Sequence, residues 1–459
     1  MRSRATTCAP HASPSLSRAS PSFARVGIGV RACVALACAM FHAAVSNYDT
    51  SARASGAHGA GAAATGRHAV VERACAVVRD ANAWDATHFV ALATRGGYAF
   101  EHQHAFFPGL WMIIRACARA LTRVLDGVLG VDVSFECASG VSAVLVSTLA
   151  FAVACEAARR LARRAFRGGN FDALALASAW LFALNPANVF YGIAYTESGF
   201  SCASFIGYLA LADGWDVASG AAFGAAAAFR SNGILHVIPV SVVIAARVIE
   251  SLQKRKVRDA CGYALRGVVA CALVVAPYVA FSAYGDAKYC QNSLFAMDNA
   301  RRPWCVDSLS NAYGLLPKSM YGFLQRHYWG LGFLSSYSKR NAGNVALGAP
   351  AMILGIICVS RYFMCIASNT NVYHTPNAPL HERALVFAAY VQLAIGVFVA
   401  ATYMHAQVAT RFLSTFPAMY WGIADIGARH PRLRYAIAAY YIAYAILGAL
   451  LVPNFYPWT

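Results

Sequence analysis

Leu385-Val386-Phe387-Ala388-Ala389-Tyr390-Val391-Gln392-Leu393-Ala394-Ile395-Gly396-Val397-Phe398-Val399-Ala400-Ala401-Thr402 carries no charge. A helix of ~20 such residues crosses the ~30 Å hydrocarbon core of a bilayer. Comparable runs lie on both sides of it: Val26–Val45, Gly109–Leu125, Cys137–Ala157, Asp172–Phe190, Tyr191–Ala212, Val217–Phe229, Gly233–Ile249, Tyr263–Ala283, Val345–Ala367, Ala406–Ile423 and Tyr435–Val452. The chain is 59% hydrophobic and only 13% charged, so no soluble catalytic domain is expected beside the helices. Several runs contain Pro or Gly, which a bilayer tolerates where protein or a wet cavity covers the freed backbone groups. The expectation is an all-α polytopic membrane protein with roughly ten transmembrane helices in one integral domain over 26–459.

The formal charge of +18 would suit a nucleic-acid partner, but its placement argues against one. Basic residues cluster at Arg159–Arg164, Lys254–Arg258 and Arg429–Arg434, in short connections between apolar runs. Lys and Arg collect there when the connection stays on the cytoplasmic side. Most of the fourteen Cys lie inside spans, where Cys acts as a small apolar residue. Cys290 and Cys305 instead share the polar segment between Ala283 and Val345; an oxidising lumen would favour their pairing. No Cys/His spacing reads as a zinc site, and no metal is expected.

Residues 1–25 form a basic, acid-free tail whose composition fits a transit peptide, and with the Val26–Val45 run it fits a signal peptide or a first membrane anchor; the length of the run favours the anchor. The Ala/Gly/Ser-rich stretch within 46–83 reads as a low-complexity lumenal linker. Val70–Arg95 reads as one amphipathic helix ending at Gly96-Gly97. Counting spans creates a conflict: if Gly109–Leu125 crosses fully, Arg159–Arg167 falls on the side of Asp85. A re-entrant or interfacial Gly109–Leu125 removes it. Two polar segments, 84–108 and 284–344, are expected to close over one cleft.

The first of these holds Trp84-Asp85-Ala86-Thr87-His88-Phe89 and Glu101-His102-Gln103-His104-Ala105-Phe106-Phe107-Pro108-Gly109. A carboxylate held beside a membrane is costly to desolvate and is a functional candidate by default. Asp85 and His88 share a helical face, so Asp85 is read as a general base at the membrane surface. The bland alternative is a solvated loop with interfacial aromatics. His88, Glu101, His102 and His104 are left to orient a substrate or tune Asp85. Further candidates for acceptor or donor binding are Asn188 and Glu197 beyond the helix-breaking Pro186, Arg230 and Asn232 between two Ala-rich runs, Trp329, and His405, Gln407 and Arg411. A purely structural Glu197–Arg230 bridge remains open. Arg411 has no acidic neighbour in sequence, and a phosphate partner would explain a cation there.

None of these clusters is specific alone. Together, and in this order, they resemble the GPI mannosyltransferase 2 (PIG-V type) family. The matching pieces are Trp84-Asp85-x-x-His88-Phe89, Tyr98-x-x-Glu101-His102-x-x-Ala105-Phe106-Phe107-Pro108-Gly109, Asn185-Pro186-Ala187-Asn188-Val189-Phe190 and Arg230-Ser231-Asn232-Gly233. Trp304-Cys305, Tyr328-Trp329-x-x-Gly332-Phe333-Leu334, His405-x-Gln407-Val408-x-Thr410-Arg411-Phe412-Leu413 and Asn454-Phe455-x-Pro457-Trp458-Thr459 complete the set. The linker before Trp84 has no counterpart in that pattern. The resemblance implies a GT-C type fold and an inverting, dolichyl-phosphate-mannose-dependent glycosyltransferase in the endoplasmic reticulum membrane. It implies that the second, α-1,6-linked mannose of a GPI precursor glycolipid is added at the lumenal face, with Asp85 in the position of the catalytic acid of the first lumenal loop. Dolichyl phosphate mannose is then the donor substrate; no cofactor is implied, and a small membrane subunit is left open. The competing classes are a lipid or solute transporter or scramblase, for which internal repeats are lacking, and a non-catalytic subunit of a glycosyltransferase complex.

Overall fold

The computed structural model describes residues 22–46, 48, 67–166, 172–291, 302–306, 320–368 and 378–456. The helices among them are α1 Phe23–Ala44, α2 Arg67–Ala81, α3 Asp85–Arg95, α4 Pro108–Leu129, α5 Phe135–Ala165 and α6 Asp172–Ala183. There follow α7 Glu197–Ala212, α8 Asp216–Phe229, α9 Val237–Gln253, α10 Val257–Asp286, α11 Pro303–Val306 and α12 Met320–Trp329. The chain ends with α13 Ala342–Ala367, α14 Leu380–Thr402, α15 Ala409–Leu413, α16 Pro417–Arg429 and α17 Pro431–Leu451. The described residues form no strand.

Among the described residues seven segments are long and apolar enough to cross a membrane: Phe23–Ala44, Phe135–Ala165, Ser231–Gln253, Val257–Cys290, Lys339–Ala367, Leu380–Thr402 and Pro431–Leu451. α6 and α8 are shorter apolar helices. Five of the twelve expected spans are therefore revised: Gly109–Leu125, Asp172–Phe190, Tyr191–Ala212, Val217–Phe229 and Ala406–Ile423. The run from Asp172 to Ala212 breaks after Ala183, because the Asn185 amide caps Phe182 O at 2.8 Å and the Asn188 amide caps Ala183 O at 2.7 Å. Pro186 prevents the helix from resuming there. The run from Ala406 to Ile423 divides in the same way into α15 and α16, and Pro417 starts the second.

α4 resolves the counting conflict. It buries Leu110, Trp111, Ile114 and Ala118 on one side and carries exposed Arg119, Arg123 and Asp126 among exposed Met112, Ile113, Val124 and Val128. A bilayer-crossing helix would not expose three charges, whereas a helix lying in the interface does. Both its ends lie on the site side of the molecule. Gly109 sits where a Cβ would be 2.8 Å from Ala228 O, against the end of α8 that leads to Arg230. The next helix, α5, starts at a disulfide, Cys75–Cys137, that joins it to α2. α5, α9 and α16 each run from this side to a basic cluster at the other end, so the three clusters and Asp85 lie on opposite faces.

Two expectations within the polar segments also change. Residues 67–81 of the expected linker are helical and cross-linked; the basic tail before Ser22 and most of 46–66 lie outside the described residues. The expected single helix Val70–Arg95 is broken at Trp84, whose φ of 60° is unfavourable for a side chain of that size. Cys290 and Cys305 are bonded, with a Cα–Cα distance of 5.5 Å. Labelling of thiols in intact, unfolded protein should therefore detect four more cysteines after reduction than before it: Cys75, Cys137, Cys290 and Cys305. Detection of all four without reduction would contradict both bridges.

Candidate active site

Asp85 is the first residue of α3, and the break at Trp84 aims it away from the line of α2. Asn82 secures that break. Its amide nitrogen donates to Val78 O at 2.8 Å, and its amide oxygen accepts from Ala194 N at 3.0 Å. The loop between α6 and α7 is thereby pinned beside Asp85. At the other end of α3, Gly96 takes the left-handed conformation that terminates a helix. The guanidinium of Arg115 on α4 donates to Ala93 O and Thr94 O at 2.6 and 2.8 Å. The helix bearing Asp85 and His88 is thus held at both ends by groups that the sequence reading did not single out.

Arg411 on α15 meets Asp85 across 326 residues of chain, with Nη2 donating to Oδ2 at 3.0 Å. Its Nε lies 3.8 Å from Oε1 of Glu197, the first residue of α7, and that oxygen also accepts from Arg230 Nη1 at 2.7 Å. The guanidinium lies over the rings of Phe190 and Tyr195, 5.5 and 5.2 Å from their centroids. Burial works against its charge, but Asp85 and Glu197 outweigh burial and hold the group above its usual pKa. Behind it, Ser414 Oγ donates to Arg411 O at 2.6 Å, and the hydroxyls of Tyr191 and Ser414 are 2.9 Å apart. The four charged candidates Asp85, Glu197, Arg230 and Arg411 therefore form one group. The Glu197–Arg230 bridge exists, but it is part of that group and not a separate strut.

The remaining candidates divide into cleft wall and support. His88 stacks on Phe106 at 4.6 Å and faces His102 at 6.0 Å. Burial lowers the pKa of His88 against the opposing pull of Asp85, and it lowers that of His102. Trp329 packs edge-on against Phe106 at 6.2 Å, and its carbonyl accepts from His405 Nε2 at 2.7 Å. Gln407 is half-buried on the turn between His405 and α15, and Asn232 is half-buried two residues beyond Arg230.

Glu101 acts differently from a substrate ligand. Its two oxygens accept from Trp304 Nε1 at 2.6 Å and from Tyr328 OH at 3.3 Å, and Arg302 lies 3.7 Å away. It ties the described residues Arg302, Trp304 and Tyr328 to the 84–108 segment. His104 does not reach the cleft. It is fully buried among Tyr98, Phe281, Tyr284 and Tyr289, and burial, then the nearby Lys288, push its pKa down to about 3. Asn188 is buried, with its amide used as a helix cap and its carbonyl accepting from Arg31 at 2.5 Å. Among the described residues no three His, Cys, Asp or Glu converge as metal ligands would.

A separate apolar cavity of about 1030 Å³ opens between α1, α6, α16 and α17. Asn188 lines it, two residues from the Phe190 ring that carries Arg411, and Asp425 and Arg429 line it too. Ala177 and Gly29 form part of its wall, and nothing lies within 4 Å of the place where a Cβ on Gly29 would be.

Residues 23–459 match the family described as Mannosyltransferase (PIG-V). The chain is 26% identical to GPI mannosyltransferase 2 of Chaetomium globosum, over 82% of this chain and 83% of that protein. It is 28% identical to GPI alpha-1,6-mannosyltransferase 2 of Mus musculus, over 82% of this chain and 87% of that protein. Among solved structures it is similar to the apo form of the Archaeoglobus fulgidus oligosaccharyltransferase, with a TM-score of 0.43 and 12% identity over 94% of this chain and 56% of that one. With the family matched from the first described helix to the C-terminus, the chain belongs to the PIG-V mannosyltransferase family and is a multi-pass membrane glycosyltransferase.

Proposed function

We propose that this enzyme transfers the second mannose, in α-1,6 linkage, from dolichyl phosphate mannose to a mono-mannosylated GPI precursor at the lumenal face of the endoplasmic reticulum membrane. The names of its relatives supply the acceptor class and the linkage. The observation that carries the chemistry is the pair of Asp85 and Arg411, a carboxylate with a 34% exposed side chain beside a guanidinium anchored from behind. The face bearing the site lies opposite the basic clusters, a placement that supports the lumenal reading.

The reaction asks little beyond this pair. The acceptor 6-hydroxyl attacks the anomeric carbon of the mannose, and a new carbon–oxygen bond forms there. The bond from that carbon to the phosphate oxygen breaks, and dolichyl phosphate leaves with the electron pair. The hydroxyl proton passes to Asp85, which acts as general base. Arg411 holds the phosphate and stabilises the charge that grows on it. His88, His102 and Trp329 line the cleft where the sugars would lie. The apolar cavity supplies a place for the polyprenyl chain, since Asn188 lines it close to the Phe190 ring beneath Arg411.

The defining experiment is a membrane assay of labelled mannose transfer from dolichyl phosphate mannose to a mono-mannosylated GPI precursor. Asp85→Asn should lower turnover by ~10²-fold or more with expression intact, the scale of general-base removal. Near-wild-type transfer by that variant would end the assignment. Arg411→Lys should be impaired although the charge is kept, because Lys lacks the planar fork that grips phosphate in two places. If both Lys and Ala work as well as Arg, Arg411 is a packing residue. Ala177→Trp fills the cavity wall. It should raise the KM for the long-chain donor by ~10-fold, about 1.4 kcal/mol, and leave a short-chain donor unaffected. Equal effects on both donors would remove the chain from that cavity.

A further inference from the structure

Charge alternates along one line through the site: Asp85, Arg411, Glu197, Arg230. Two acids balance two cations, so the line is neutral and has no positive charge to spare for an incoming phosphate. Exposure is lowest at the Glu197 side chain, 1%, and is 14% at Arg230 on one side of it, 14% at Arg411 on the other and 34% at Asp85. Two buried atoms at its centre, Arg411 Nε and Glu197 Oε2, make no hydrogen bond among the described residues. The guanidinium is therefore tied firmly only at its Asp85 end. Beneath it lie the flat faces of Phe190 and Tyr195, which attract a guanidinium by the same cation–π contact through a range of in-plane angles.

An anion reaching Arg411 from the cleft must compete with Asp85 for it. A sugar phosphodiester has one negative charge and two free oxygens, the shape that the guanidinium fork fits best. Resting on the functional reading above, we propose that Asp85 and the donor phosphate are alternative partners of Arg411. In the empty enzyme the base is masked in an ion pair. Donor binding turns Arg411 onto the phosphate, while Glu197 keeps the guanidinium from leaving, and Asp85 is set free. The carboxylate is thus free to accept the acceptor's proton only when a donor is present, and neither water nor acceptor is activated without one. After transfer, Asp85 carries the acceptor's proton and Arg411 carries dolichyl phosphate. Loss of that proton restores the carboxylate, which competes for Arg411 and helps expel the product. The other titratable side chain on the Asp85 face of α3 is His88, and the groups facing Arg411 are Asp85, Glu197 and Tyr195.

The test is the affinity of the purified full-length protein for a short-chain polyprenyl phosphate mannose with no acceptor present. Asp85→Asn keeps the size of the side chain and removes the competitor. It should bind this donor ~10-fold more tightly than wild type while failing to transfer mannose. Unchanged or weaker binding together with lost transfer overturns the competition and leaves Asp85 as the base. Retained transfer overturns the base reading itself. In the Arg411→Gln background the gain from Asp85→Asn should vanish; a gain of equal size there would mean general charge removal and would also overturn the proposal. If Asp85→Asn does not fold, Asp85→Ala decides by the same reading: tighter donor binding than wild type supports the exchange of partners, and unchanged or weaker binding overturns it.

Discussion

The site depends on one shared guanidinium. Arg411 stands in mostly apolar surroundings, and a cation there needs counter-charge to be stable. Asp85 and Glu197 provide it from two different helices, and Arg230 keeps the second of them from becoming an excess negative charge. Removing one member of such a buried set leaves an uncompensated charge, which is the costly outcome, whereas the intact set is close to neutral in stability. The arrangement is therefore better explained by chemistry than by a need for stability. It also restricts the fold, because α3, α7, α15 and the turn after α8 must all end at one point.

Broken helices are how the chain meets that demand. A helix crossing the whole bilayer places its ends at the two faces, but the four charges have to project from ends that stop short. α6 stops at Ala183, α7 starts at Glu197, α8 stops before Arg230 and α15 covers only Ala409–Leu413. At the break after α6 the freed carbonyls of Phe182, Ala183 and Asn188 are covered by Asn185, Asn188 and Arg31. Around the cleft the protein relies on covalent and ionic ties: Cys75–Cys137 holds α2 to α5, and Glu101 with Cys290–Cys305 holds the later polar segment over the earlier one.

Much of this was legible in the sequence where the signal is local. Long apolar runs mark α1, α5, α9, α10, α13, α14 and α17, and the ionisable residues that interrupt the others mark the site. What was not legible depends on three-dimensional neighbours. Glu101 and His104 look alike in sequence, as polar residues three apart in one aromatic stretch. Only the fold turns the first toward Trp304 and buries the second against Tyr98 and Phe281. The Cys75–Cys137 bond joins a helix whose neighbouring sequence looks like linker to one that looks like a plain span. The Val70–Arg95 pattern is continuous in hydrophobicity, and the break at Trp84 comes from Asn82 binding a loop more than a hundred residues away. The interfacial alternative for Gly109–Leu125 was legible in Arg119, Arg123 and Asp126, which a crossing helix would not tolerate on its lipid side.

The central claim is that Arg411 and Asp85 divide the two halves of a mannosyl phosphate between them. An experimental structure of the protein with bound donor and an acceptor lacking the reactive hydroxyl tests it most directly. The account predicts phosphate oxygens ~2.7–2.9 Å from the Arg411 guanidinium nitrogens, with Asp85 parted from Arg411 and turned toward the place of the missing hydroxyl. A donor phosphate bound elsewhere, with the Asp85–Arg411 pair still closed, would contradict it.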